Sequence, residues 1–280
     1  MDIHIITLNI PWPPDYGGII DTYYRIRSLH DIGVKIHLHC FEYGRQRPEE
    51  LEKLCETISY YRRKTGLGIH FSLKPYIVKS RHSKKLVSNL LKDNYPILYD
   101  GLHTTLSIEN RTLHNRIKIV RLHNVEHLYY SNLALHEKNI FRRLYFRIEA
   151  YKLRRYQRII QNADLAFSIS GNDQKYFSRL FKNTRYLAPF HPFDEIVSKP
   201  GKGDYIVYHG DLSVGENAAV AQSLIENVFS KIHFRCIIAG KDPPEYLRAS
   251  STCYENIDVV ANPPESRMKD LIESMFGPIQ

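Results

Sequence analysis

Short β-branched runs alternate with longer amphipathic stretches almost from end to end of this chain, and that rhythm leaves few folds open. Buried parallel strands read as short apolar runs bounded by turn residues, and the helices that cross between them read as longer periodic stretches. IHIITL (3–8), VKIHLHC (34–40), ILYDG (97–101), IKIVRLHN (117–124), DLAFSIS (164–170) and TRYLAP (184–189) are strand-like. Helical spacing predicts helices over 19–33, stopped by Gly33, over 48–64, over 83–93 and across most of 126–163. The stretch APFHPFDEIVSKPGKGD (188–204) has prolines, glycines and charge without periodicity, and reads as a linker. A second alternation follows, with strands at 205–210, 234–240 and 257–262 and helices at 219–232 and 266–276. Repeated strand–helix–strand units imply an α/β protein with doubly wound parallel sheets.

The expected division is therefore a Rossmann-like domain over 1–190, a linker over 191–204 and a second Rossmann-like domain over 205–280, with a cleft between the domains. The second block offers about three strands, roughly half of a doubly wound domain of ~100–150 residues, and reads as incomplete. At 280 residues and 43% apolar content, the chain can fill two cores. Its net charge of +9, from 39 Lys+Arg against 30 Asp+Glu, favours anionic partners without choosing among them. Cys40, Cys55, Cys236 and Cys253 are scattered, with no C-x-x-C pair, and read as reduced thiols of a cytoplasmic protein. The opening MDIHIITLNI carries Asp2 and His4 and lacks the basic start of a signal peptide. No apolar run approaches the ~20 residues that cross a bilayer.

Three places carry chemistry. The loop PWPPDYGG ends in Gly17–Gly18 at the start of the first helix, where backbone N–H groups can approach an anionic or bulky polar ligand. The spacing is neither G-x-G-x-x-G nor a P-loop, so nicotinamide cofactors and Walker-type phosphate binding are set aside. The alternative is a tight turn needing positive φ. The second place is VRLHNVEHLYYSNLA (120–134), with His123 at a strand end. His123, Glu126 and His127 also spell H-x-x-E-H, an inverted zinc-peptidase pattern. Zinc chemistry needs both rings on one helix face, whereas His123 belongs to the strand. The third place is YHGDLSVGENAAV (208–220), a strand, glycine loop and helix in the position that the Gly17–Gly18 loop holds in the first block. His37 and His39 share one strand face and read as a partly buried structural pair.

PPDYGG, RLHNVEHLYYSNLA, YKLRRYQRIIQNADLAFSIS, YHGDLSVGEN and IIAGKDPP, in this order and spanning the chain, resemble the GT-B glycosyltransferases of family four. The resemblance implies two Rossmann-like domains facing a cleft. It also implies retaining transfer from a nucleotide-diphosphate sugar to a glycan or lipid-linked acceptor, as in cell-surface polysaccharide synthesis. On it, Gly17 and Gly18 line the donor phosphates and the acceptor, His123 is the catalytic residue that orients the donor, and Gly210 begins the loop under the diphosphate. Asp15, Tyr16, Asn124, Glu126, Ser170 and Gly240 complete the implied donor- and acceptor-binding set. No cofactor and no metal are expected, in keeping with the absence of D-x-D.

The chain also departs from the family. Asp211 and Glu216 stand where the family often has Arg and Lys. Glu265 and Glu273 have the seven-residue spacing of its glutamate pair but lie one element too early. The alternative function is a catalytically incomplete glycan-binding or assembly module, with a zinc hydrolase behind it. Nucleic acid is not an expected partner. The basic stretch 142–158 reads as a solvated helix face, with a peripheral contact to an anionic membrane, at its inner face, as the competing reading.

Overall fold

The computed structural model describes residues 1–193 and 203–275. The linker expected over 191–204 falls mostly on 194–202, outside the described residues. The chain divides into two compact units, Met1–Pro192 and Phe193–Gln280.

The first unit is built from β1 (Asp2–Thr7), α1 (Gly17–Asp31), β2 (Lys35–Glu42), β3 (Thr57–Arg62), α2 (Tyr76–Lys79) and α3 (Lys84–Leu90). It continues with β4 (Ile97–Asp100), β5 (Lys118–Leu122), α4 (Glu126–His136), α5 (Ile140–Tyr156), β6 (Leu165–Ser168), α6 (Gly171–Ser178) and β7 (Thr184–Tyr186). Its seven strands form one sheet in the order β3-β2-β1-β4-β5-β6-β7, every pair parallel. The order reverses between β1 and β4, and in open α/β sheets ligands bind outside the carboxyl ends of strands at such a reversal.

Both faces are covered, as parallel sheets require. On β1 and β4, Ile3, Ile5 and Leu98 pack with Ile26 of α1, while Ile6, Ile97 and Tyr99 join the core on the opposite face. The two-residue period therefore puts Asp100 on the face of Leu98, under α1, and His4 on the face of Ile6.

The second unit has β8 (Tyr205–Asp211), α7 (Gly215–Asn227), β9 (Arg235–Lys241), α8 (Glu245–Ser251), β10 (Ile257–Ala261) and α9 (Glu265–Glu273). Its three strands are parallel, in the order β10-β9-β8. Helix α7 packs Ala218, Ala221 and Ile225 on Cys236 and Ile238.

The helix expected over 48–64 does not form. Only Glu49–Leu51 turn, into a short 3-10 helix, and Thr57–Arg62 become the edge strand beside β2. Leu51, Leu54, Ile58 and Tyr61 have helical spacing, but the run TISYYR is β-branched and aromatic, and pairing along β2 overrides the spacing. Helices α6 and α8 were not anticipated, and the long helical stretch after Glu126 breaks at Glu137–Asn139 between α4 and α5.

Candidate functional site

Helix α1 lays Asp21, Thr22 and Arg25 across the carboxyl ends of β4 and β5, all three buried. Beneath them sit Asp100, the last residue of β4, and Arg121 of β5, which are register partners, and both are fully buried. Asp100 accepts hydrogen bonds from Thr22 Oγ1 at 2.7 Å, from an Arg25 guanidinium nitrogen and from His123 Nε2 at 3.0 Å. Asp21 accepts from Arg25 at 2.7 Å and from Arg121 Nη2 at 2.7 Å. Two carboxylates and two guanidiniums thus cancel, and nearly every remaining donor finds a partner. Arg121 spends its other N–H groups on the carbonyls of Leu187 and Ala188 at 2.8 and 3.0 Å, and Phe190 N–H donates to Asp21 at 2.9 Å. Burial by itself would raise the Asp100 carboxyl; Arg25, then His123, hold it well below the usual carboxylate range instead.

His123 follows β5 directly and keeps its Nε2 on Asp100. Next to it, three further groups gather that the sequence did not single out as a set. Gly101, with φ of 79°, lets His103 and His123 close in: a Cβ there would lie 3.1 Å from His103 Nδ1 and 3.4 Å from His123 Cδ2. His103 Nδ1 is buried and has no hydrogen-bond partner among the described residues, and it lies 3.9 Å from Glu126, too far to bond. Burial drives the His103 ring well below its ordinary value, with Arg81 adding to the effect. Glu126 opens α4 and is 5% exposed; burial pushes its carboxyl up to about 7 against the pull of His123 and Arg81. Arg81, pushed down to about 9 by burial, is held by the carbonyls of Leu8 and Ile77 at 2.9 and 2.5 Å. A buried acid and a buried imidazole nitrogen therefore face each other with hydrogen-bonding capacity to spare.

Gly17 and Gly18 are the first two residues of α1, whose N-cap Tyr16 offers no side-chain bond. Neither takes a positive φ, so the tight-turn explanation fails: Gly33, Gly44 and Gly101 are the glycines that do, among the described residues. A Cβ on Gly17 would meet nothing within 4 Å, and one on Gly18 only Tyr16, at 3.7 Å. Asp15 pairs with Arg45, which also lies 5.2 Å over the Tyr16 ring. Arg45, Asp15, Trp12 and Arg47 line a 540 Å³ pocket beside this loop.

Asn124 is exposed immediately after His123. Ser170 caps α6, its Oγ accepting from Asp173 N–H at 3.1 Å. In the second unit Gly210 and Gly240 are register partners, and a Cβ on Gly240 would collide with the Gly210 carbonyl oxygen, so strand spacing alone demands glycine there. Gly210 lies within β8 rather than in the loop, which begins after Asp211. Asp211 spends its carboxylate on Ser213.

His37 and His39 belong to a larger group than a pair, on the face of the sheet opposite α1. His4 Nε2 bonds Asp93 at 2.8 Å, His4 Nδ1 meets His39 Nε2 at 2.8 Å, and His39 Nδ1 meets Tyr61 Oη at 2.8 Å. Burial holds His39 at about 3 and His4 below its ordinary value, the latter against Asp93.

Two groupings of side chains bear on metal binding, and neither offers a free donor set. Asp21, Asp100 and His123 bring ligand atoms within 4.8 Å of one another, but Arg25 and Arg121 already neutralise both carboxylates. The H-x-x-E-H histidines part company: His123 bonds Asp100, whereas the His127 ring lies 5.6 Å from that of Tyr176.

Among curated proteins, an uncharacterized 44.6 kDa protein in the cps region of Klebsiella pneumoniae is 26% identical over 200 residues, covering 68% of this chain and 51% of the relative. The chain thus spans about half the length of the curated relative it matches. No family model matches. Among solved structures, UGT89C1 of Arabidopsis thaliana complexed with UDP-L-rhamnose superposes with a TM-score of 0.54 at 13% identity, covering 98% of this chain and 72% of that one. A TarM mutant from S. aureus, in complex with fondaparinux, alpha-GlcNAc-glycerol and UDP, gives 0.53 at 9% identity, covering 97% and 79%. These likenesses show the fold: two Rossmann-like units in one chain, as in the GT-B glycosyltransferases.

Proposed function

We propose that this chain carries a retaining glycosyltransferase of the family-four type, moving a sugar from a nucleotide-diphosphate sugar to a glycan or lipid-linked acceptor in cell-surface polysaccharide synthesis. One observation carries the reading. In a GT-B fold, the buried Asp100–His123 pair stands at the carboxyl ends of β4 and β5, beside the strand-order reversal where open α/β sheets take their ligands. With Nε2 held on Asp100, the His123 ring leaves Nδ1 to meet a sugar hydroxyl of the donor. His103 Nδ1 and Glu126 are the next groups a hydroxyl would reach. The diphosphate would draw on backbone N–H groups at Gly17–Gly18, so leaving-group charge is met by fixed dipoles and no metal. The cps-region relative supports a surface polysaccharide as product.

The test is nucleotide release and product formation with a panel of UDP- and GDP-sugars and lipid-linked acceptors, for the wild type and His123→Ala. We expect His123→Ala to lower transfer by about a hundredfold or more while the protein stays folded, and the product to keep the donor's anomeric configuration. Wild-type turnover in the variant would remove His123 from the mechanism. Acceptor binding without any nucleotide-sugar binding would replace the transferase with the assembly-module reading.

A further inference from the structure

Helix α5 buries Glu149, Ala150 and Leu153 and packs Tyr156 against the core. On its opposite side Ile140, Leu144, Ile148 and Tyr151 follow one another at spacings of four, four and three, and they are 62%, 56%, 46% and 61% exposed. Such spacing places the four in a single outward stripe, with the exposed Phe141 beside it. Arg143, Arg147 and Arg154 flank the stripe and Arg155, bonded to the Tyr151 hydroxyl, closes its end; none has an acidic partner among the described residues. Leu128 and Leu135 of α4 extend the apolar area across a 620 Å³ groove that Arg147, Tyr151 and Arg154 also line. The arginines of 142–158 do lie on an exposed face, and the exposed apolar stripe runs between them.

We infer that this α5 face is a docking surface for an anionic lipid bilayer. An apolar stripe bordered by unpaired arginines matches the boundary between acyl chains and negatively charged headgroups: the stripe enters, and the guanidiniums meet phosphates at its edges. A second copy of the chain is the poorer occupant, because a symmetric contact would bring the unpaired arginines against their own counterparts. Crossing the bilayer is not at issue, since no helix among the described residues is long and apolar enough. The inference does not depend on the transferase reading, and its test needs no activity.

The test is co-sedimentation of the whole chain with phosphatidylcholine vesicles, with and without about 30 mol% phosphatidylglycerol. We expect binding to the anionic vesicles only, falling about tenfold as salt shortens the screening length severalfold. The triple variant Ile140→Ser, Leu144→Ser, Ile148→Ser should lose that binding with its thermal transition unchanged, and Arg143→Glu with Arg147→Glu should do the same through charge. Failure of the wild type to bind anionic vesicles overturns the inference. So does undiminished binding by the triple variant, which would move the contact elsewhere on the basic surface. Self-association abolished by the triple variant, without vesicle binding, would assign the face to a second copy instead.

Discussion

The first unit buries polar groups on both faces of one sheet, by two opposite means. Under α1, Asp21, Asp100, Arg25 and Arg121 are sunk as ions and cancel in place. On the other face, Asp93, His4, His39 and Tyr61 form a chain of hydrogen bonds, each 2.8 Å, in which burial favours neutral rings. The chain has one consistent direction. Tyr61 donates to His39, His39 to His4, and His4 to the Asp93 carboxylate, while Asn89 donates to the Tyr61 oxygen at 2.8 Å. A proton added to either ring would turn the Tyr61 hydroxyl from donor to acceptor. A charged cluster is vulnerable to losing a member, and a neutral one to gaining a proton.

The sharpest way to break this contrast is Arg121→Met. It leaves Asp21 with one guanidinium and strands two carbonyls, and we expect a loss of about 3–5 kcal/mol in urea denaturation of the first unit. A loss below about 1 kcal/mol would mean that the cluster is not the closed set of ions described.

Acidification addresses the other face. A ring whose folded value lies below its unfolded one takes up protons more readily when unfolded. The His4–His39 contribution is therefore whole above pH ~6.5 and drains away as pH falls toward the His39 value, by up to about 1.4 kcal/mol per pH unit for each ring. Asp100, held low, contributes stability that is whole above pH ~3.9 and is lost only below it, so the two faces separate by pH window. His39→Gln should flatten the slope between pH 6.5 and 4 by about one proton, and an unchanged slope would locate the titration elsewhere.

Glu126 sharpens the comparison because it belongs to neither scheme, being buried without an ion partner in bonding range. Its carboxyl is raised, so the folded state prefers it protonated, and its contribution is full at low pH and lost as pH rises through about 7. Glu126→Gln should therefore stabilise the protein at pH 8 by about 1–2 kcal/mol and change little at pH 5. Equal effects at both pH values would show that the carboxyl is not raised.

Much of the architecture was legible in the sequence because buried parallel strands are short apolar runs, whatever their neighbours. Residues 48–64 were not, since only the presence of β2 alongside decides between a helix and the strand of TISYYR. The site divides in the same way. His123 and Gly17–Gly18 were visible as strand-end and helix-start signals. Arg25 and Asp100 are 75 residues apart, and Asp21 and Arg121 are 100 apart, so no local pattern joins them. The cues present were weak: an Asp–Arg pair four apart on the inner side of α1, and an Asp–Gly step closing ILYDG. His103 carried no signal, because it nears His123 only in the fold, on either side of the space a Gly101 side chain would fill.

Asp21 has a second duty besides neutralising arginines: it takes the amide of Phe190, while Arg121 grips the carbonyls of Leu187 and Ala188. The strand of chain leaving the first unit is moored to the same knot that steadies His123. A substitution that loosens the knot would therefore slacken residues 187–190 and the His123 imidazole together, so disorder in the one should be matched by misplacement of the other.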